Sequence, residues 1–170
     1  MRIVAMLGLS LALAGCFSSE RPLFSEDRGH CPFTTPTTLE EIDETPSRVV
    51  FTASGGYCQA TDNEGRVSRA LFAPIGAQWW IVQDDQDHPA YALVHREGSR
   101  IVEYLPKCEE FSADRLRRLG VTFDEGQREC TANDARQIDE LFRSWRYRPF
   151  PRPVGAFRIL PAGAAAAPAR

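Results

Sequence analysis

The chain has 170 residues, with 20 basic and 23 acidic side chains and a formal net charge of −3. That length is enough for one ordinary domain with a real core, and the mildly acidic balance excludes a basic footprint for nucleic acid. Lys107 is the only lysine, so the positive charge is carried by arginines, which are scattered rather than gathered into a phosphate-binding patch.

At the N-terminus, Arg2 precedes an apolar run from Ile3 to Leu13, which leads into Leu13-Ala14-Gly15-Cys16. The run is too short to cross ~30 Å of hydrocarbon, which takes roughly 20 residues. Ala12-Leu13-Ala14 could serve as an ordinary signal-peptidase site, but a cysteine directly after Leu-Ala-Gly favours lipidation. The segment resembles a bacterial lipoprotein signal peptide, with Leu13 to Cys16 as its lipobox. That resemblance covers residues 1–16 only. It implies export, cleavage before Cys16, and a diacylglyceryl thioether plus an amide-linked acyl chain such as palmitate on that cysteine. Two or more chains anchor stably where one is marginal. Phe17 stands where an aspartate would signal retention in the inner membrane. The resemblance therefore implies outer-membrane attachment facing the periplasm.

Five cysteines would leave one unpaired in an oxidising compartment. With Cys16 assigned to lipid, Cys31, Cys58, Cys108 and Cys130 remain, and three pairings are open. The expected pairs are Cys31–Cys58 and Cys108–Cys130, each close in sequence and joining apparent element ends. Closing the second loop would stabilise the fold by roughly 3 kcal/mol on the chain-entropy model. No Cys-x-x-Cys occurs, which argues against zinc or thioredoxin-like chemistry.

Residues 16–47 carry Pro22, Pro32, Pro36 and Pro46 among polar side chains and read as the lipidated cysteine and an extended tether. Thr38 to Ile42 could make one helical turn. From 48 to 160 the texture is that of a single domain. Val49–Thr52, Tyr57–Ala60, Val67–Ala73, Gln78–Gln83, Ala90–His95 and Arg100–Leu105 read as five or six short strands, separated by turn signals such as Asp62-Asn63-Glu64-Gly65 and Arg96-Glu97-Gly98-Ser99. In Arg100–Leu105 the alternation sets Ile101, Glu103 and Leu105 on one face and Val102 and Tyr104 on the other.

Two helices follow. Ser112 caps the first, Phe111 can staple against Leu116, and Gly120 ends it. Thr131 opens the second, with Asp134 in its first turn, and Ile138, Leu141, Phe142 and Trp145 form one apolar stripe. Pro149, Pro151 and Pro153 stop it, Val154–Leu160 could return as an edge strand, and the Ala/Pro-rich residues 161–170 read as a disordered tail. The expected fold is α+β: an antiparallel meander with two helices packed on one sheet face, stapled by disulfides.

Reactive constellations are scarce. Asp84, Asp85, Asp87 and His88 form the only carboxylate-rich loop with a histidine, but the loop lacks the mid-loop glycine and closing glutamate of an EF-hand. A solvated turn is the better reading. His30 beside Cys31 and His95 on its strand have no nucleophile or base partner in sight. Trp79 and Trp80 fall on opposite faces of a strand, so that one of them, with Tyr91, could meet a ligand. The chain is thus expected to be a non-enzymatic periplasmic lipoprotein with a structural, assembly or protein-binding role, and without a cofactor. Its expected partners are membrane lipid, through acylated Cys16, and envelope proteins. The alternatives are an envelope hydrolase with its site near 84–95 and a small-ligand module on the sheet face. Cys16→Ala is expected to move the protein from the membrane fraction to the soluble periplasm. Continued sedimentation of that variant after an alkaline wash would rule out the lipid anchor.

Overall fold

The computed structural model describes residues 17–42 and 47–161. The leader 1–15, Cys16 and most of the proposed tail lie outside the described residues. Eleven strands and two helices run in chain order: β1 Phe17–Ser18, β2 Thr37–Glu41, β3 Arg48–Ser54, β4 Tyr57–Asp62, β5 Val67–Gly76, β6 Trp79–Asp84, β7 Ala90–Glu97, β8 Arg100–Tyr104, α1 Ala113–Leu119, β9 Thr122–Asp124, β10 Glu129–Thr131, α2 Ala135–Trp145 and β11 Gly155–Ile159.

The expected open α+β meander does not form. Strands β2 to β8 each pair antiparallel with the next, and β11 then pairs with β8 on one side and β2 on the other. The result is a closed eight-stranded antiparallel barrel. Val154–Leu160, read as an edge strand, is the closing strand, with Phe157 opposite Ile101 and Glu41. Closure satisfies the backbone donors and acceptors that an open edge would present.

Strand alternation sorts the side chains into two cores. Leu39, Phe51, Phe72, Val82, Ile101 and Phe157 point inside the barrel. Leu71, Ile81, Leu93 and Val102, their alternates along the same wall, point outward and are covered by a second layer. That layer holds the stripe Ile138, Leu141, Phe142 and Trp145 of α2 and Leu116 of α1, together with Phe17 and Phe24. β5, β6 and β7 are thus covered on both faces along their middles, which explains near-continuous apolar runs such as Ile81-Val82 and Ala90-Tyr91-Ala92-Leu93-Val94. On β2 to β4 the outward positions are largely polar (Thr38, Glu40, Arg48, Thr52, Gln59, Thr61). A lipid-facing barrel would place apolar residues there.

Of the stretch 16–47 read as tether, residues 17–33 are instead folded against the barrel and Thr37–Glu41 is its strand β2. β1 pairs with β7 and β10, extending the sheet through β9. Buried Gln83 accepts from the Leu23 and Phe24 amides, both at 2.9 Å, and donates to the Phe24 carbonyl. Ser19 meets the Tyr91 hydroxyl at 2.7 Å. Two glycines allow this segment to cross the β3–β4 turn. A Cβ on Gly29 would lie 2.2 Å from the Gly56 carbonyl oxygen, and one on Gly56 would lie 2.0 Å from that of Glu26. Thr38 to Ile42, expected as a possible helical turn, falls largely in strand β2, Thr37–Glu41. Its Leu39 carries the inward-facing apolar position that an isolated reading of Thr-Leu-Glu-Glu does not reveal.

Both expected disulfides form, with Cα–Cα distances of 5.0 Å for Cys31–Cys58 and 5.7 Å for Cys108–Cys130. The first ties the N-terminal segment to β4, and the second joins the turn before α1 to β10. Ser112 caps α1 and Gly120 ends it in the left-handed region at φ 73°. α2 starts at Asp134, which accepts from the Arg136 amide at 2.7 Å, whereas Thr131 belongs to β10. Asp139 joins Arg28 at 2.5 Å and Arg143 at 2.7 Å, and Arg143 and Arg146 both donate to the Ile75 carbonyl, so polar contacts as well as the apolar stripe hold α2 to the barrel.

Leu141 is fully buried in the outer core. Leu141→Asp is expected to abolish cooperative unfolding in urea, because an unpaired buried charge costs more than most domains can lose. Asp139→Leu is expected to cost about 1 kcal/mol through loss of its two partly exposed ion pairs. A cooperative Leu141→Asp variant of near-normal midpoint would contradict this packing.

Candidate functional site

The barrel interior is not filled by its own side chains. A cavity of about 500 Å³ remains, within the range typical of small-molecule sites. Leu39, Phe51, Phe72, Val82, Val94, Ile101 and Phe157 form its walls, each from a different barrel strand. Ala60 and Ala70 leave room where larger side chains would fill it. Phe33 lines it as well, its ring 5.2 Å from that of Phe51, beside the Cys31–Cys58 bridge at the end where β3 turns into β4. The β6–β7 loop also contributes, with exposed Gln86, Asp87 and His88 bordering the cavity. The mouth is therefore polar and the body apolar.

Two carboxylates face into this space. Glu103 comes from β8, in register with Val94 of β7 and Gly155 of β11. A Cβ on Gly155 would lie 3.3 Å from Glu103 Oε2, so the glycine keeps the neighbouring position clear. Among the described residues no donor or cation reaches the Glu103 carboxylate. Burial, and then the negative charge of Glu41, push its pKa from the ordinary 4.5 to about 7. Asp84, at the end of β6, is buried at the mouth and accepts from the Ala90 amide at 2.9 Å. Burial raises its pKa, the Ala90 hydrogen bond lowers it, and Asp85 raises it further, for a net rise.

The residues singled out in the sequence are distributed differently from expectation. Asp84, Asp87 and His88 border the cavity, while Asp85 turns to Arg69 at 3.7 Å. Among the described residues no group of three or more His, Cys, Asp or Glu is placed to hold a metal ion, and His88 makes no hydrogen bond to a carboxylate. His95 is on the outer face, stacked on Trp79 at 4.2 Å with its Nδ1 3.3 Å from Glu97. Trp79 packs with the outer core and Trp80 with the inner one, at positions outside the cavity lining. Tyr91 is buried against the N-terminal segment, where burial pushes its hydroxyl up to about 12. The cavity is therefore lined by the inside of the barrel rather than by an open sheet face.

Glu103 and the aromatic lining were not singled out as a site in the sequence. The signal was present in Ile101-x-Glu103-x-Leu105, where one acid occupies an otherwise apolar face, but only closure turns that face into an interior. Comparison with protein-family models, curated proteins and solved structures returned no match to this chain.

The raised pKa of Glu103 makes the stability of the fold depend on pH. The folded state holds the Glu103 proton up to about pH 7, whereas the unfolded chain releases it near its ordinary value. Stability from this group is therefore undiminished below that ordinary value, falls as pH rises through the window, and stays reduced above it. Its nearest inward-facing neighbours in the adjoining strands, Val94 and Gly155, do not titrate, and Glu41 reinforces the effect. Glu103→Gln is expected to gain on the order of 3 kcal/mol over the parent at about pH 8 and little at about pH 4. Urea titrations at both values measure it, and equal midpoints at the higher pH would refute the buried ionisation.

Proposed function

We propose that this protein is a lipid-tethered periplasmic binding module that holds a small, largely apolar molecule inside its barrel. The supporting observation is the cavity of about 500 Å³, walled by aliphatic and aromatic side chains and bordered by a polar loop at one end. Barrels of eight strands have interiors that either fill with side chains or hold one small ligand, and here the small residues Ala60 and Ala70 leave space. The tether follows from the lipobox reading of Leu13 to Cys16 and gives such a module an address at the outer membrane. The proline-bearing stretch after Cys16 leaves little free stalk, since folding begins at Phe17, so the barrel would sit close to the membrane surface.

A second reading, docking of an envelope protein, is favoured by one observation. Tyr147, Phe150 and Val154 are exposed in a short segment after α2, with Phe150 96% exposed. Three apolar side chains of that kind are a small patch rather than a full interface.

The neutral, environment-sensitive dye N-phenyl-1-naphthylamine tests the first reading. It is expected to bind the purified full chain saturably at one site, with a rise in fluorescence. Ala60→Phe, which fills the cavity, is expected to weaken binding at least about tenfold while the far-ultraviolet circular dichroism is retained. Absence of saturable binding, or undiminished binding by the filled variant, would exclude the cavity as the site.

A further inference from the structure

We infer that the molecule held in the barrel carries a positive charge, as an ammonium or similar cationic nitrogen on an apolar body, and that Glu103 is its partner. This rests on the binding-module reading above and specifies the class of ligand.

Glu103 stands among Ile101, Val94 and Phe157, with no partner among the described residues. Its carboxylate is half-buried on the cavity wall without a counter-charge, and partly desolvated, unpaired acids of this kind collect where a ligand supplies what is missing. Nothing in the local packing requires an acid at this position, since its cross-strand neighbours are Val94 and Gly155. Gly155 matters here because any larger residue would crowd the carboxylate.

Most of the surrounding charges have the same sign. Asp84 lies at the mouth and Asp87 on the loop above it. Glu41 is near enough to raise the affinity of Glu103 for its proton. The arginine bordering the cavity, Arg69, is already engaged: its guanidinium lies 4.2 Å from the Tyr57 ring centroid and 3.7 Å from Asp85. His88 is the only other basic side chain in the lining. A negatively charged ligand would therefore meet mostly carboxylates on entry. A cation would be drawn to the mouth and would find, on an apolar wall, a half-buried unpaired acid with which a charge-assisted hydrogen bond is stronger than in open water.

Three probes of one chain length separate charge from apolar fit: n-octylammonium, 1-octanol and octanoate. Each is titrated calorimetrically into the purified full chain at about pH 8. Octylammonium is expected to bind at least about tenfold more tightly than octanol, and octanoate more weakly than octanol. Glu103→Gln is expected to remove the octylammonium advantage while octanol affinity stays within about twofold. Gly155→Ala supplies a second variant that leaves the acid in place and is expected to weaken octylammonium more than octanol. Equal affinities for octylammonium and octanol, unchanged in Glu103→Gln, would overturn the cationic-ligand inference and leave the cavity reading standing. Preference for octanoate would overturn it with the opposite sign. Failure of all three to bind, together with failure of the neutral dye, would overturn the binding-module reading itself.

Discussion

Closure by β11 is the constraint on which the rest depends. This strand returns after an insertion of two helices and two short strands, and it hydrogen-bonds to β8 and β2 at once. Without it, β2 and β8 would both be edges and the inner apolar face would be open to water. With it, the same face encloses a volume. Phe157, opposite both Ile101 and Glu41, shows what the closing strand contributes: one inward ring that belongs to the walls of two neighbours.

The insertion that delays closure also covers the barrel. The stripe of α2 and the short sheet β1-β10-β9 lie over one side of the barrel, giving its outer face a core of its own. Cys108–Cys130 holds that layer together, and Cys31–Cys58 fastens the N-terminal segment to the barrel proper. The Cys108–Cys130 bridge lies within the outer layer, whereas Cys31–Cys58 ties the segment that crosses the barrel to β4. Asp139 also joins separate parts, linking Arg28 of the N-terminal segment to α2.

An interior of this kind makes one polar residue conspicuous. In an open sheet Glu103 would be an ordinary exposed acid. In a closed barrel with walls of Val94, Ile101 and Phe157 it is half-buried, loses part of its hydration and is pushed towards neutrality. The same burial that destabilises the folded state near neutral pH prepares a site for an opposite charge.

Much of the local structure was legible from residue order. The strands from Val49 to Leu105, the Ser112 cap, the Gly120 stop and the stripe from Ile138 to Trp145 all rest on period, capping or turn chemistry acting within a few residues. With Cys16 set aside, the count of four cysteines left three pairings open, and closeness in sequence picked the two pairs that the structure brings together. What sequence could not supply was which distant elements meet. Alternation in Arg100–Leu105 is the same whether a sheet is open or closed, so nothing local marks Glu103 as interior. Thr38–Glu41 became a strand because β3 and β11 flank it, and residues 17–33 left their tether-like appearance because Gln83 and Tyr91 bond to them. Short-range preferences determined the elements. Long-range pairing decided that they enclose a cavity, because closure is a property of β2, β8 and β11 together and of none of them alone.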